Sequence, residues 1–260
     1  MKTTAIMNLK GGVAKTITAV NMAMILAEKH GKRVLLIDAD HQGNSSSYFP
    51  DVEHDYTLLD MLLGEGEHLW SDNVSRTGVE GLDLIPANMD LAWLDVANDS
   101  DAKERSRQIF RLREFLECAA EDDAYDHVFI DMPPSFSTAA KAALVAADEV
   151  IIPMKIDAFS LKGMTTLMEQ IATMRKINER LRIAGVLMTM CQNAETVEFA
   201  KNALDDHNIP VFRSTIRWTK DKVDDSTIAR KPLHVYSPRC AAARGYIRFA
   251  EEYLGGERNA

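Results

Sequence analysis

Met7-Asn8-Leu9-Lys10-Gly11-Gly12-Val13-Ala14-Lys15-Thr16-Ile17-Thr18 is the stretch on which the reading of this 260-residue chain turns. An apolar, strand-like run from Thr3 to Met7 precedes it, and apolar residues at helical spacing (Ala19, Met22, Ala23, Leu26) follow it. The glycines therefore occupy a strand-to-helix turn. The first N–H groups of a helix have no acceptor within it and carry partial positive charge, which is what a polyphosphate requires. Lys15 can reach the β- and γ-phosphates, and the Thr16 hydroxyl can ligate the Mg²⁺ that bridges them. The turn reads as a nucleoside triphosphate site made of Lys10, Gly11, Gly12, Val13, Ala14, Lys15, Thr16 and Ile17.

Working outward, a helical pattern from Ile17 to Lys29 stops at His30-Gly31, and Arg33-Val34-Leu35-Leu36-Ile37 is a continuous apolar run. Such runs suit parallel strands covered on both faces. This one ends in Asp38-Ala39-Asp40, and Val128-Phe129-Ile130 ends in Asp131, so carboxylates stand at strand ends, on the edge where α/β sheets bind ligands. Further strands are expected at Gly81–Pro86, Glu149–Met154 and Ile183–Met190. Helices are expected at Tyr56–Leu63, Ala102–Ala120, Ser137–Ala147, Phe159–Lys176 and Ala241–Leu254. This alternation predicts an α/β fold in one domain over residues 1–260: a single doubly wound, mainly parallel sheet flanked by helices.

The strict Gly-x-x-x-x-Gly-Lys-Ser/Thr pattern is broken at Leu9 and Ala14. The turn resembles instead the deviant Walker A box of the ParA/MinD ATPases, Lys-Gly-Gly-Val-Gly-Lys-Thr, whose additional lysine is matched by Lys10. Asp38-Ala39-Asp40-His41-Gln42-Gly43-Asn44 resembles that family's Asp-x-Asp-Pro-Gln-Gly-Asn box, with His41 in place of proline. Asp131-Met132-Pro133-Pro134-Ser135 resembles its Asp-x-Pro-Pro-Ser switch segment. The resemblance covers almost the whole chain and implies a P-loop ATPase that uses ATP and Mg²⁺ and hydrolyses slowly under partner stimulation.

It further implies a homodimer that sandwiches two ATP molecules, with Lys10 crossing to the other subunit's nucleotide as an arginine finger does, and Lys15 and Asp40 completing the catalytic set. By the same resemblance Asp40 positions the attacking water, and Thr16, Asp38 and Asp131 serve the metal. Ala14 replaces a glycine that lets backbone pass close to phosphate. If that position needs a positive φ, alanine there stores roughly 1–3 kcal/mol of strain.

Net charge is −9, which at first argues against a nucleic-acid partner, but the charge is unevenly placed. Asp51 to Asp126 holds twenty Asp/Glu against six Lys/Arg; Lys201 to Ala250 holds ten Lys/Arg against five Asp/Glu. Val211 to Lys222 interleaves basic residues with Trp218 and resembles the ParA segment that closes over adenine and binds DNA without sequence preference. That resemblance nominates Arg217, Lys220, Lys222 and Arg230, the last standing where glycine is usual. The second basic position expected after the Ile183 strand is absent, since Gln192, Asn193 and Ala194 occupy it.

The partners so implied are nonspecific DNA and a ParB-like centromere-binding protein. Cys118, Cys191 and Cys240 form no ligand pair, and no apolar run approaches the roughly 18 residues of a membrane span. The apolar stripe of the last helix (Ala243, Tyr246, Ile247, Ala250, Tyr253, Leu254) is expected to pack in the core rather than on a membrane as in MinD. A cytoplasmic, nucleoid-associated protein without a membrane partner is expected. The alternatives are a MinD-like membrane-surface ATPase and a nucleotide switch with little hydrolysis.

Overall fold

The computed structural model describes residues 1–52, 56–65, 70–97, 102–157 and 160–257. Along the chain it contains β1 (Lys2–Ile6), α1 (Lys15–His30), β2 (Val34–Asp38), α2 (Leu58–Leu63), β3 (Ser75–Arg76), β4 (Leu82–Ile85), α3 (Trp93–Ala97), α4 (Ala102–Glu121) and β5 (His127–Asp131). The second half adds α5 (Thr138–Ala146), β6 (Glu149–Lys155), α6 (Ser160–Met174), β7 (Arg182–Cys191), α7 (Ala194–Asp205), β8 (Val211–Arg217), α8 (Lys220–Ile228), α9 (Leu233–Tyr236) and α10 (Ala241–Glu257).

The strands form one eight-stranded sheet in the order β3-β4-β2-β5-β1-β6-β7-β8. Every pairing is parallel except β3 with β4. The doubly wound, mainly parallel sheet expected from the sequence is therefore observed. All five residues of β2 and of β5 are buried, which is why neither shows the alternation of a half-exposed strand. On one face, Leu112 and Leu116 of α4, the alanines of α5 and Leu167 of α6 cover the sheet. On the other, Met22 and Ile25 of α1 and Tyr246 and Phe249 of α10 cover it.

Helix α1 ends at Gly31, whose φ of 60° lets its N–H return to the Ala27 and Leu26 carbonyls. The α10 stripe packs as expected: Ala243, Tyr246, Ala250 and Tyr253 are buried, and the tyrosine hydroxyls meet Thr18 Oγ1 (3.1 Å) and Thr4 Oγ1 (2.8 Å). Among the described residues no helix is long and apolar enough to cross a membrane.

Two expectations change. Val211–Arg217, read as part of a basic cover, is an edge strand, and only Lys220 onward turns helical. The sequence reading also lacked β3, whose two residues carry too little pattern to detect. The expected start of the helix at Phe159 lies outside the described residues.

Register decides where the chemistry gathers. Pairing β2 with β5 sets Asp38 beside Asp131, and pairing β1 with β5 sets Ile6 beside Asp131. Three parallel strands thus end together at one edge, and the turn after β1 leaves from that same point.

Candidate functional site

The turn between β1 and α1 is held by its own side chains. Asn8 donates its amide to the Pro153 carbonyl (2.8 Å) and accepts the Lys10 N–H (2.9 Å), while Thr189 Oγ1 of β7 donates to the Val13 carbonyl (3.0 Å). Val13 is buried beneath the turn. Two residues take the left-handed conformation, Gly12 at φ 69° and Ala14 at φ 69°, ψ 34°. Gly12 does so without cost, whereas Ala14 carries a Cβ there and stores roughly 1–3 kcal/mol.

No side chain caps α1, and its first internal bond runs from Thr18 N–H to the Ala14 carbonyl (2.9 Å). The Lys15, Thr16 and Ile17 amides therefore open outward at the positive end of a 16-residue helix.

Lys15 is 8% exposed, and its ammonium donates to the Lys10 carbonyl (3.2 Å). Burial holds it below the usual lysine value, and the nearby Asp131 and Asp40 carboxylates pull the other way. Asp131 is fully buried: one oxygen accepts the Ser45 hydroxyl (2.6 Å), and Oδ1 has no hydrogen-bond partner. Burial pushes Asp131 up to about 6, against the Ser45 and Thr16 hydroxyls and the Lys15 ammonium.

An unpartnered carboxylate oxygen beside a threonine hydroxyl supplies oxygen donors suited to a hard divalent cation and its water shell. The residues present therefore fit magnesium.

Asp38, expected to support the strand end and the metal shell, has both carboxylate oxygens engaged within the chain. Its Oδ2 accepts both the N–H and the hydroxyl of Ser46 (2.8 Å each), and its Oδ1 accepts the Asp40 N–H (3.2 Å). Burial and the charge of Asp131 alongside push its pKa up, against the hydrogen bonds from Ser46 and Asp40; through those bonds both oxygens clamp the loop after β2. That clamp aims Asp40, which is 7% exposed, accepts the Gln42 N–H (3.1 Å) and has His41 Nδ1 at 3.6 Å. The structure thus gathers Thr16, Lys15, Asp38, Asp40 and Asp131 into one cluster.

Lys10 stands apart from it, paired with Asp157, two residues beyond β6 of its own chain. Sequence reasoning missed Asp157, Ser45 and Ser46. The rule applied to Asp38, an acidic residue just past a parallel strand, would have found Asp157; the serine run after Asn44 was the only trace of the other two.

Arg217 ends β8, Lys220 and Lys222 lie in the first turn of α8, and Arg230 follows that helix in the left-handed conformation (φ 51°), which accounts for glycine being usual there. All four are exposed, and Lys222 pairs with Asp225 (3.6 Å). Trp218 is 38% exposed, so it is not a core residue. From β8 the chain folds back over α1: Tyr48 OH meets Thr227 Oγ1 (3.2 Å), and Leu233 N–H donates to Asn21 of α1 (2.9 Å).

Comparison with known proteins agrees with this architecture. A family described as an AAA domain matches residues 1–183. The chromosome partitioning protein ParA of Caulobacter vibrioides is 36% identical over 264 residues, covering 100% of this chain and 96% of that protein. The sporulation initiation inhibitor protein Soj of Bacillus subtilis is 34% identical, covering 96% of this chain and 97% of that protein. Among solved structures, a cobyrinic acid a,c-diamide synthase from Mycobacterium smegmatis with bound ATP analog and magnesium superposes with a TM-score of 0.78 at 29% identity, covering 98% of this chain and 94% of the other.

Proposed function

This chain belongs to the ParA/MinD-type partition ATPases, and from that membership we propose that it is an ATP-hydrolysing partition protein acting on a plasmid, mobile element or chromosome. The observation that carries the reading is the uncapped start of α1, whose first residue is a buried lysine and whose neighbour Asp131 has an unpartnered oxygen. ATP binds with its phosphates on the turn Lys10 to Ile17, and Lys15 neutralises charge on the β- and γ-phosphates. Thr16 and Asp131 would hold Mg²⁺, whose positive charge spreads over the same oxygens.

Asp40, held in place through Asp38, accepts a hydrogen bond from the attacking water and aligns it. Lys10 acts in trans, on the nucleotide of a second copy, once it leaves Asp157. The cis pair seen here is then the resting arrangement, and ATP-driven pairing replaces it with contact to phosphate. In this reading the chain is one ATPase domain, cytoplasmic and nucleoid-associated. The paired form holds DNA without sequence preference through Arg217, Lys220, Lys222 and Arg230, and a ParB-like partner accelerates turnover. The buried stripe of α10 speaks against a membrane role.

Calorimetry and gel filtration test the core of this proposal. ATP with Mg²⁺ is expected to bind and to shift the chain to the mass of two copies, while ADP binds without the shift. A chain that takes up no ATP in magnesium buffer would end the proposal.

A further inference from the structure

The two buried aspartates of the site stand side by side in register, Asp38 on β2 and Asp131 on β5, and both are 0% exposed. Neighbouring strands lie about 4.8 Å apart, so two carboxylates there crowd like charges where no water screens them. Two consecutive serines give the pair different roles. Ser46 donates its N–H and hydroxyl to Oδ2 of Asp38, and the Asp40 N–H takes Oδ1, so Asp38 is filled on both oxygens. Ser45 donates its hydroxyl to Oδ2 of Asp131 (2.6 Å), while Oδ1 is buried without a hydrogen-bond partner.

Ser45 is itself wholly buried, and its bond to Asp131 has the short length of a hydroxyl donating to a carboxylate. Its backbone is pinned as well. The Ser45 carbonyl accepts the Tyr48 N–H (3.2 Å) across the 3-10 turn Ser46–Tyr48, and the Tyr48 and Phe49 side chains are buried in the core that covers α1. The torsion that turns an aspartate's carboxylate is soft, with no sharp preferred value. A donor fixed from behind removes that freedom, because rotating the Asp131 carboxylate breaks the bond to Ser45.

We propose that Ser45 is a positioning residue for the divalent cation: by holding Oδ2 it fixes the Asp131 carboxylate and leaves Oδ1 as the oxygen available to the cation or its water shell. The inference rests on the reading of the phosphate turn as an ATP and magnesium site. Thr16 and Asp131 are the direct donors in that reading. Ser45 acts one bond further out, and orienting partners of that kind are worth about 10- to 100-fold in metal affinity. The bond also ties two parts of the site together. Ser45 follows Asp40 by five residues in one loop, so the seat of the cation and that of the water-aligning carboxylate share a single support.

The test is Mn²⁺ binding to the full chain saturated with ADP, followed by the paramagnetic resonance signal of free Mn²⁺, with ADP affinity in metal-free buffer measured beside it. Ser45→Ala is expected to weaken Mn²⁺ binding about tenfold and to leave metal-free ADP affinity within about twofold. Ser45→Cys fills the same space with a weak donor and is expected to weaken Mn²⁺ to a similar degree, so a cavity does not account for the loss. Ser47→Ala, two positions away, exposed and with its hydroxyl on the Asn44 carbonyl (2.8 Å), is expected to bind Mn²⁺ as the wild type does. In hydrolysis, the Mg²⁺ concentration giving half the maximal rate should rise about tenfold in Ser45→Ala, with the rate at saturating Mg²⁺ kept within about threefold. Should the alanine variant fail to fold, the cysteine variant carries the test alone.

If the wild-type chain takes up Mn²⁺ with ADP and Ser45→Ala takes it up equally well or more tightly, the role of Ser45 is overturned while the nucleotide site stands. Full Mn²⁺ affinity in Ser45→Cys overturns it too, since packing would then explain the alanine result. Equal losses of Mn²⁺ and of metal-free ADP in Ser45→Ala, or an equal Mn²⁺ loss in Ser47→Ala, would reduce Ser45 to loop structure and overturn it likewise. A wild-type chain that binds ADP without Mn²⁺ leaves Ser45 nothing to position and overturns the inference; one that binds neither overturns the ATP reading with it.

Discussion

The centre and the far end of one sheet edge are built from opposite materials. At the centre, where β1, β2 and β5 end, the working groups are nearly or wholly buried: Lys15 is 8% exposed, Asp40 7%, and Asp38 and Asp131 0%. Hydroxyls and an amide from 2 to 86 chain positions away are held against Asp38 and Asp131 at 2.6–3.2 Å. At the far end, where β7 and β8 finish, Arg213, Arg217 and Lys220 are exposed. The difference follows the ligand proposed for each. Reaction at one phosphorus atom needs charges fixed before the substrate arrives and shielded from water, whereas a polymer met in any register needs long cations that can adjust.

The largest expected effect lies at the centre. Asp40→Asn should lower the hydrolysis rate at least about 100-fold, measured by phosphate release, while ATP affinity from calorimetry stays within about threefold. An unchanged rate would remove Asp40 from the mechanism and with it the claim that the centre is a catalytic constellation.

Next comes stability. Ser46→Ala strips a hydroxyl that donates to Asp38 (2.8 Å) and accepts the Ala87 N–H (3.0 Å), leaving buried groups unpaired. It should cost about 1–3 kcal/mol in denaturant unfolding. Arg217→Gln at the far end should cost no more than about 0.5 kcal/mol by the same measurement. Equal costs would break the comparison, since the two regions would then be equally embedded.

A smaller effect sharpens it. Ala14→Gly should relieve strain at φ 69° and, net of the added freedom of the unfolded chain, yield about 1 kcal/mol. That gain should appear as raised stability or as ATP affinity up to about fivefold tighter. A weaker-binding glycine variant would show that the alanine is accommodated without strain.

The smallest effect is acid-dependent and lies at neither region. Asp126, just before β5, is held at about 2 by hydrogen bonding to the Arg33 side chain (2.9 Å). Its folded value lies below its usual 3.8, so its contribution is present above about pH 4 and is lost as pH falls toward 2. Asp126→Asn should lower the neutral plateau slightly, the pair being largely solvated, and make the acid limb of the stability curve shallower between those values by the same small amount.

The phosphate turn, both aspartate boxes and most of the sheet were legible in the sequence because each is carried by neighbours in the chain. A glycine pair between an apolar strand and a helix, or a carboxylate after an apolar run, has its physical meaning within about ten residues. Asp157 was not legible in the same way, because its importance comes from Lys10, 147 positions away. Ser45 looked like one of a run of serines until the loop after β2 set its hydroxyl on Asp131, 86 positions away. Asp38 was legible as part of the site, but its partners were not: Ser46 folds back to engage one carboxylate oxygen, and the Asp40 N–H engages the other.

What the sequence by itself determined was six of the eight strands, their parallel stacking and a polyphosphate-seeking helix start. These rest on backbone amides and apolar periodicity, which are local. What only the tertiary structure decided was which groups the charges meet: Lys10 with Asp157, Asp38 with Ser46, and Asp131 with Ser45. Electrostatic and hydrogen-bond partners are chosen by distance in space, and a chain written in one dimension does not state that distance until its register is set.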